Sequence, residues 1–162
     1  MNNTGYTTRQ ATALVTVRVL IGWQFLYEGL VKIVDPGWTA ASFLASAQGP
    51  LDFLFRGMAA SPGLLHVINF SNEWGLLLIG LSLVTGLLSR WACLGGMVLL
   101  MLYYISNPPF IGLNAPATTE GSYLIVNKNM VELFTLFILF AFPTDHVVGL
   151  GRLFSKKEKH AK

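Results

Sequence analysis

The sequence predicts an all-α, polytopic membrane protein: a bundle of four transmembrane helices with short interfacial helices between the first and second spans. Hydrophobic residues make up 53% of the 162 residues and charged residues only 12%, whereas an ordinary soluble domain is about 25% charged. Four apolar runs divide the chain, and three of them reach the roughly 17–25 residues that a membrane-spanning helix needs. A single cysteine excludes a disulfide scaffold, and the apolar composition excludes a disordered chain.

The four apolar runs define the predicted spans. They cover about residues 11–34, 72–89, 91–106 and 123–142. The third run is the shortest, and Asn107-Pro108-Pro109 marks its end because proline lacks the N–H that a helix interior needs. The first run does not have the pattern of a removable signal peptide, since charged residues interrupt it and no small-residue cleavage site follows.

The distribution of basic residues predicts how the chain is oriented in the membrane. With both termini on one side, that side holds seven basic residues, namely Arg9, Arg90, Arg152, Lys156, Lys157, Lys159 and Lys162. The opposite side holds only Arg56 and Lys128. By the positive-inside rule both termini lie in the cytoplasm. We therefore expect a multi-pass protein of the bacterial inner membrane, with the lipid bilayer as its main partner.

The boundaries give a single membrane domain over residues 1–154 and a basic cytoplasmic tail at residues 155–162. The chain carries a net charge of +3, and five of its eleven basic residues lie in the last eleven positions. Because the excess charge is confined to the end of the chain rather than spread over a surface, no nucleic-acid partner is expected.

The segments that connect the spans on the outer side differ in character. Residues 35–71 are long for a connection, and we expect three short helices there: after Trp38-Thr39, around residues 51–58 and from Ser61-Pro62. Each is too short to cross a membrane, which predicts interfacial or re-entrant helices. Residues 107–122 are rich in Pro, Gly and Thr and are predicted to form a loop.

Small residues indicate where two spans could approach closely. Ser82 with Gly86, and Ala92 with Gly96, lie four residues apart on the second and third spans. This spacing lets helix backbones come close together in a membrane. The alternative is that these residues only reflect how common small residues are in membrane helices.

Ionisable side chains within the spans are the main candidates for function, because a charge near the centre of a membrane helix costs roughly 2.5–3.5 kcal/mol. Glu28 and Lys32 are four residues apart on the first span, in the order that favours an ion pair. Lys128 and Glu132 have the same spacing on the fourth span. Glu132 is predicted to lie roughly 13 Å below the start of its helix, facing the bundle interior. A purely structural ion pair explains Glu28 and Lys32 equally well.

The predicted topology brings the ionisable groups of three spans to the outer half of the membrane. We predict a catalytic set comprising Glu28, Lys32, Lys128 and Glu132. We predict a substrate-binding set comprising Arg18, Tyr27, Glu73, Asn127 and Asn129. Clustered carboxylates and ammonium groups are typical of sites that handle protons.

Several of these residues also have a structural interpretation. Arg18 could simply extend its guanidinium to the headgroups. Glu73 could lie in the first turn of a second span that Asn72 caps. Tyr27, Trp38 and Trp74 could form flat walls for a quinone-like ring, but tryptophans are also typical of the membrane interface.

Several cofactor classes are excluded by what the sequence lacks. Cys93 is the only cysteine, so no CxxC dithiol relay exists. His66, His146 and His160 all lie outside the predicted spans, so no pair of axial haem ligands is expected in the bundle. No P-loop, GxGxxG or HExxH motif occurs, and no metal site is expected.

The first span carries a motif that resembles a known family. It contains Arg18, Gly22, Phe25, Gly29 and Lys32 at the spacing R-x3-G-x2-F-x3-G-x2-K, which is similar to the opening helix of the DoxX/DoxD membrane proteins. The Pro36-Gly37-Trp38 loop and the helical insertion after it resemble the DoxD branch, the small subunit of thiosulfate:quinone oxidoreductase.

Later parts of the chain resemble the same family. The matching positions are Glu73, Gly80, Gly86, Ser89-Arg90, Asn127 to Glu132 and Gly149-Leu150-Gly151-Arg152. They are similar to the family's second helix, the basic turn after it, the last helix and its exit. The resemblance covers about residues 10–154.

The resemblance implies a membrane protein linked to quinone-dependent oxidation of small sulfur compounds such as thiosulfate, with quinone as the only cofactor. On this hypothesis Lys32 or Lys128 binds a quinone oxygen and attracts the anionic reductant, and Glu28 or Glu132 passes protons. Expected partners are a second membrane or periplasmic subunit, or further copies of this chain.

The alternative is a non-catalytic membrane anchor or scaffold subunit of a larger complex, so whether the chain is an enzyme stays open. A carrier for a small anion or a lipid is a third possibility. It is disfavoured, because the two halves of the sequence do not each contain a membrane helix that Gly or Pro interrupts, as is typical of transporters.

Overall fold

The computed structural model describes residues 5–109, 122–145 and 147–150. Its elements are α1 (Thr8–Val34), α2 (Ala41–Ala45), α3 (Asp52–Ala60), α4 (Pro62–Thr85), α5 (Ser89–Ser106), β1 (Ser122–Tyr123), β2 (Val126–Asn127) and α6 (Lys128–Ala141). Among these residues, α1, α4 and α5 are long and apolar enough to cross a membrane, which confirms a mostly helical chain of membrane character. α6 has 14 residues, fewer than the roughly 17 that a span needs, so the fourth span stays a prediction.

The four longest helices pack side by side in the order α1, α4, α5, α6, with α6 returning to α1. Their shared core is apolar and consists of Ile21, Phe25, Leu76, Leu83, Ala92, Cys93, Leu100, Leu136 and Leu139. Neighbouring helices run antiparallel. The start of α1, the α4–α5 turn and the segment after α6 therefore lie at one end of the bundle, which we call the terminal end.

Glycines produce the closest helix approach, between α1 and α4. A Cβ built on Gly80 would lie 2.6 Å from Leu26 Cα and 2.8 Å from the Gly22 carbonyl oxygen. A Cβ on Gly29 would lie 2.6 Å from the Leu77 nitrogen. Two of the small residues predicted to lie between the second and third spans are glycines. A Cβ built on Gly96 would lie 2.6 Å from a methyl group of Leu136 on α6 and 3.6 Å from Ile79 on α4. Gly86 ends α4 with φ 69°, a left-handed conformation that glycine adopts without strain.

The second membrane helix begins ten residues before the predicted position 72. Pro62 is the first residue of α4, a position where proline costs nothing because its missing N–H would have no helical partner. The predicted separate short helix from Ser61-Pro62 is therefore wrong, since the chain continues without a break into the membrane helix. Asn72 does not cap this helix and Glu73 does not lie in its first turn, because both are in its middle.

The last helix begins at Lys128 rather than at Tyr123. The Asn127 side chain accepts a hydrogen bond of 3.0 Å from the Met130 N–H, which caps the helix start. Ahead of it, β1 and β2 form a small antiparallel hairpin that pairs Tyr123 with Val126. Glu132 therefore lies about 6 Å from the helix start instead of roughly 13 Å.

The connector, residues 35–61, covers the other end of the bundle. α2 and α3 correspond to the first two predicted short helices. Ala40, Leu44, Ala47 and Phe55 form a second small core. The N–H groups of Gln48 and Gly49 both donate to the Ser106 carbonyl at 3.0 Å, which fastens the connector to the end of α5. Most of the predicted 107–122 loop, and the basic tail, lie outside the described residues.

Candidate functional site

A cavity of about 320 Å³ lies at the connector end of the bundle, between α1, α4, α5 and α6. Its volume is at the lower limit of the roughly 300–1,000 Å³ typical of ligand pockets, which suits one small molecule or ring. Leu76 and Leu100 provide apolar walls, and Trp38 and Phe43 of the connector line the same space. The connector therefore forms part of the enclosure of the cavity.

Charged side chains from α1 and α6 meet along one side of this cavity. Lys32 Nζ lies 3.0 Å from Glu28 Oε2, and Lys128 Nζ lies 3.1 Å from Glu28 Oε1. Lys128 Nζ also lies 3.7 Å from Glu132 Oε1. Gln24 donates a hydrogen bond from its amide to the Glu132 carboxylate. These five residues form what we call the charge network.

Exposure differs between the members of the charge network. The exposed fraction of the side chain is 58% for Lys128 and 43% for Glu28, but 15% for Lys32 and 10% for Glu132. The central Glu28–Lys128 pair is therefore open to solvent, and Lys32 and Glu132 at the two ends of the network are sheltered. Lys32 Nζ also lies 5.5 Å from the centre of the Trp38 ring, within the range of a cation–π contact. Two positive and two negative groups leave the network with no formal net charge.

Uncharged polar groups of α4 and α5 line the side of the cavity opposite the charge network. The Asn72 side-chain amide donates a hydrogen bond of 2.5 Å to the Tyr103 hydroxyl. The Asn72 carbonyl oxygen is buried and accepts no hydrogen bond from the described residues. Phe43 packs edge-on against the Tyr103 ring, with 5.5 Å between ring centres. Both polar residues line the cavity.

The structure brings the four predicted catalytic residues together at the cavity, along with one predicted substrate-binding residue. Glu28, Lys32, Lys128, Glu132 and Asn129 all line the same space. The spacing of four residues on each helix places each pair on one face, and the antiparallel packing aligns those faces.

The other predicted substrate-binding residues do not line the cavity. Tyr27 is exposed on the outer surface of α1, because Phe25 and Gly29 occupy the inward face of that helix. Glu73 lies on α4 where its backbone carbonyl contacts the Gly29 region. Asn127 is the cap of α6. Of the aromatic residues predicted as walls, Trp38 lines the cavity and Trp74 is exposed.

Sequence reasoning missed Gln24, Asn72 and Tyr103 as site residues. Gln24 could have been found, because Gln24, Glu28 and Lys32 follow one another at four-residue intervals and so share a helix face. No comparable signal marks Tyr103, which is one of two adjacent tyrosines in an apolar run.

Arg18 lies at the terminal end, ten residues before Glu28 and therefore about 15 Å from it along the helix. Its side chain is only 2% exposed. Nη1 donates to Thr144 Oγ1 at 2.8 Å and Nη2 donates to the Val148 carbonyl at 2.7 Å. Asp145 Oδ1 lies 3.9 Å from Nη1 and also accepts a hydrogen bond from the Ser89 hydroxyl. Arg18 thus holds the segment after α6 against the α4–α5 turn. Its guanidinium is bound inside the protein and does not extend outward, as the alternative interpretation had it.

Replacing Arg18 by methionine is expected to lower the free energy of unfolding by about 2 kcal/mol. The substitution removes the two hydrogen bonds that the charged guanidinium donates. It also removes the free-energy cost of burying that charge, which offsets part of the loss. Thermal unfolding in detergent micelles measures the effect. Arg9 is an exposed arginine on the same helix, so Arg9→Met is the control and should change stability by less than about 0.5 kcal/mol. Equal effects of the two variants would contradict the role assigned to Arg18.

No cluster of three or more His, Cys, Asp or Glu side chains in residues 5–109, 122–145 and 147–150 could hold a metal ion. Searches of protein-family models, of curated proteins and of solved structures with this chain return no match. The resemblance to the DoxX/DoxD proteins therefore stays a prediction from the motifs.

Proposed function

We propose that this chain is a DoxX/DoxD-like subunit of a quinone-linked oxidoreductase that acts on small sulfur compounds such as thiosulfate. The observation that carries the proposal is the charge network beside a cavity of single-ring size, in a protein with three helices apolar enough for a membrane. Ionisable groups inside a membrane helix are expensive and usually functional. A lipid-soluble ligand with a polar ring suits both the apolar surroundings and the polar wall.

The cavity residues fit the ring of a quinone. Bound there, a quinone would accept two electrons and, with two protons, become a quinol. Lys128 is the most exposed member of the charge network and would donate a hydrogen bond to a ring oxygen. Glu132, sheltered and held by Gln24, would hold a proton close to that oxygen. Trp38 and Phe43 would form the flat walls.

Thiosulfate would act at the rim of the cavity rather than inside it. Both lysines already contact the Glu28 carboxylate, at 3.0 and 3.1 Å, so an anion inside the cavity would have to compete with that carboxylate. Lys128 remains more than half exposed and can attract an anion from outside. Two thiosulfate ions lose one electron each when they join through a sulfur–sulfur bond, which balances the two electrons that one quinone accepts.

The orientation in the membrane is part of this proposal. Arg9 and Arg90 lie at the terminal end, whereas Arg56 and Lys128 lie at the opposite end. With the terminal end in the cytoplasm, the cavity lies in the outer half of a bacterial inner membrane. A periplasmic or second membrane subunit, or another copy of the chain, would then supply any further electron carrier.

The direct test is quinone reduction by the purified protein in lipid nanodiscs. Decylubiquinone and a short-chain menaquinone are supplied with thiosulfate, and the loss of quinone absorbance is followed. We expect thiosulfate-dependent reduction of at least one of them, together with saturable binding. Absence of both binding and reduction, with a folded protein, would overturn the proposal.

A scaffold subunit is the second candidate, and one observation favours it. Each charged group of the network has a partner of opposite charge within 4 Å. A partly buried set of ion pairs that is fully matched can serve specificity of assembly rather than chemistry. Such a protein would hold a partner in the membrane and would reduce no quinone itself.

Replacing Glu132 by glutamine distinguishes the two candidates. Glutamine keeps the size of the side chain but cannot hold a proton for transfer, so under the redox proposal the turnover number should fall by about a hundredfold or more with unchanged melting behaviour. Glu73→Gln is the matched control, since Glu73 lies outside the cavity, and it should keep nearly full activity. Under the scaffold alternative, Glu132→Gln instead lowers stability or releases the partner.

A further inference from the structure

We propose that the Tyr103 hydroxyl donates a hydrogen bond to the bound ligand, so that the cavity selects an uncharged ring with oxygen atoms at two opposite positions. This inference rests on the proposed function and specifies its substrate more closely. It assigns to Tyr103 a part in ligand selection and to Asn72 a positioning role.

Polar groups stand on two opposite sides of the cavity. The charge network bridges α1 and α6, and the Asn72–Tyr103 pair bridges α4 and α5. Both line one cavity, and the two helix pairs face each other in the bundle. A ring between them would meet a polar group on each side, while Leu76 and Leu100 contact it only through apolar atoms.

Hydrogen bonding within the Asn72–Tyr103 pair leaves one donor unused. The Tyr103 hydroxyl lies 2.5 Å from the Asn72 side-chain amide, and the other polar atom of that amide is buried without a partner among the described residues. Whichever way round the amide lies, either the hydroxyl proton or an amide proton of the pair has no acceptor among the described residues. Buried polar groups normally have a partner, and an oxygen of the ligand would provide it. Phe43, packed edge-on at 5.5 Å, restricts the ring of Tyr103 to this orientation.

The charges that line the cavity favour a neutral ligand. The two lysines and two glutamates of the cavity cancel formally, and each is already paired. An ionic ligand would therefore leave an unbalanced charge in a partly desolvated space, which is costly. Asn72 and Tyr103 add hydrogen-bonding capacity but no charge. The cavity as a whole suits a neutral ligand that accepts hydrogen bonds at both ends, as a 1,4-quinone does.

The test compares two ring ligands that differ by one oxygen. Tetramethyl-1,4-benzoquinone has oxygen atoms at two opposite positions, and 2,3,5,6-tetramethylphenol has only one. Their dissociation constants are measured by titration calorimetry with the protein in nanodiscs, and the signal of empty nanodiscs is subtracted. We expect the unaltered protein to bind the quinone about tenfold more tightly than the phenol, which corresponds to one hydrogen bond of ordinary strength.

Tyr103→Phe and Tyr104→Phe provide a matched pair of variants. Tyr103→Phe should bind the two ligands within about twofold of each other, because only the second oxygen contacts the missing hydroxyl. The Tyr104 hydroxyl donates to the Ile125 carbonyl of the hairpin at 2.9 Å and does not line the cavity, so Tyr104→Phe should keep the tenfold preference. Melting curves of both variants verify that they fold.

The outcomes separate this inference from the proposed function. If Tyr103→Phe keeps the full preference for the quinone, Tyr103 does not contact the ligand and the inference is wrong, while quinone binding stands. If the preference depends on Tyr103 but no reduction by thiosulfate occurs, the redox function fails and the ligand assignment stands. If the unaltered protein binds neither ring, both are overturned.

Discussion

Replacing Gly80 by alanine is expected to lower the free energy of unfolding by about 3 kcal/mol. The added methyl group would lie 2.6 Å from Leu26 Cα and 2.8 Å from the Gly22 carbonyl oxygen, which is inside van der Waals contact. Both neighbours are backbone atoms of α1, so no side-chain rotation can make room, and α1 must move away from α4. The cost of overpacking is typically about 1–3 kcal/mol, and a contact with fixed backbone lies at the upper end.

Gly75 on the same helix provides the control for this substitution. A Cβ at Gly75 would contact nothing within 4 Å, and alanine favours a helix over glycine by about 0.5–1 kcal/mol. Gly75→Ala should therefore leave stability unchanged or raise it slightly. Unfolding by increasing SDS in mixed micelles, followed by circular dichroism, measures both variants. Similar destabilisation by both would mean that the α1–α4 contact is looser than described.

Replacing Glu28 by glutamine is expected to lower activity, because it removes the one carboxylate that both lysines of the cavity contact. Glu28 is the shared partner of Lys32 and Lys128, at 3.0 and 3.1 Å, and its loss gives the charge network a formal charge of +1. Hydrogen bonds to charged groups contribute about 1.5–3 kcal/mol. We therefore expect kcat/KM for quinone reduction to fall about 10- to 100-fold. Because Glu28 is 43% exposed, solvent screening limits the loss of stability to about 1 kcal/mol.

Asp52→Asn is the control for the loss of one negative charge. Asp52 Oδ2 lies 3.6 Å from Arg56 Nη2 across one turn of α3, in an exposed ion pair outside the cavity. Its removal should change kcat/KM less than about twofold and stability by less than about 0.5 kcal/mol. A comparable fall in activity for both variants would show that the overall charge at this end of the protein matters, and not the pairing at Glu28.

The parts of the structure that the sequence could predict follow from length and spacing. Runs of apolar residues long enough for a membrane identify α1 and α4 without reference to any neighbour, and the stop at Asn107-Pro108-Pro109 marks the end of α5. The four-residue intervals from Glu28 to Lys32 and from Lys128 to Glu132 place each pair on one helix face. An antiparallel order of helices then places both pairs at the same end, where the structure has them.

The boundaries of two helices depend on local contacts that the apolar pattern does not contain. Pro62 reads as a break between segments, yet as the first residue of α4 it starts a helix of 24 residues. Tyr123 reads as the start of a span, yet the hairpin and the Asn127 cap delay α6 until Lys128. In both places the residue type allows two structures, and packing at the connector end decides between them.

The orientation of side chains around each helix was the least predictable property. A soluble helix shows its inward face by its apolar stripe, but a membrane helix is apolar on all sides. Nothing in the sequence alone therefore indicates that Tyr27 points outward or that Tyr103 points inward. The same reason explains the glycines, since Gly22 and Gly80 contact each other only because α1 pairs with α4.

The buried polar side chains of the described residues fall into two groups at opposite ends of the bundle. Arg18, Ser89 and Thr144 are buried at the terminal end, and Ser106 and Glu132 at the connector end. Between the two groups the described residues place only the apolar core around Phe25, Leu83 and Leu136, whose side chains cannot pass a proton along. Under the proposed redox function, the protons consumed at Glu132 would therefore come from the aqueous phase on its own side. Turnover would then move no charge through the bilayer, and its rate should not respond to the membrane voltage.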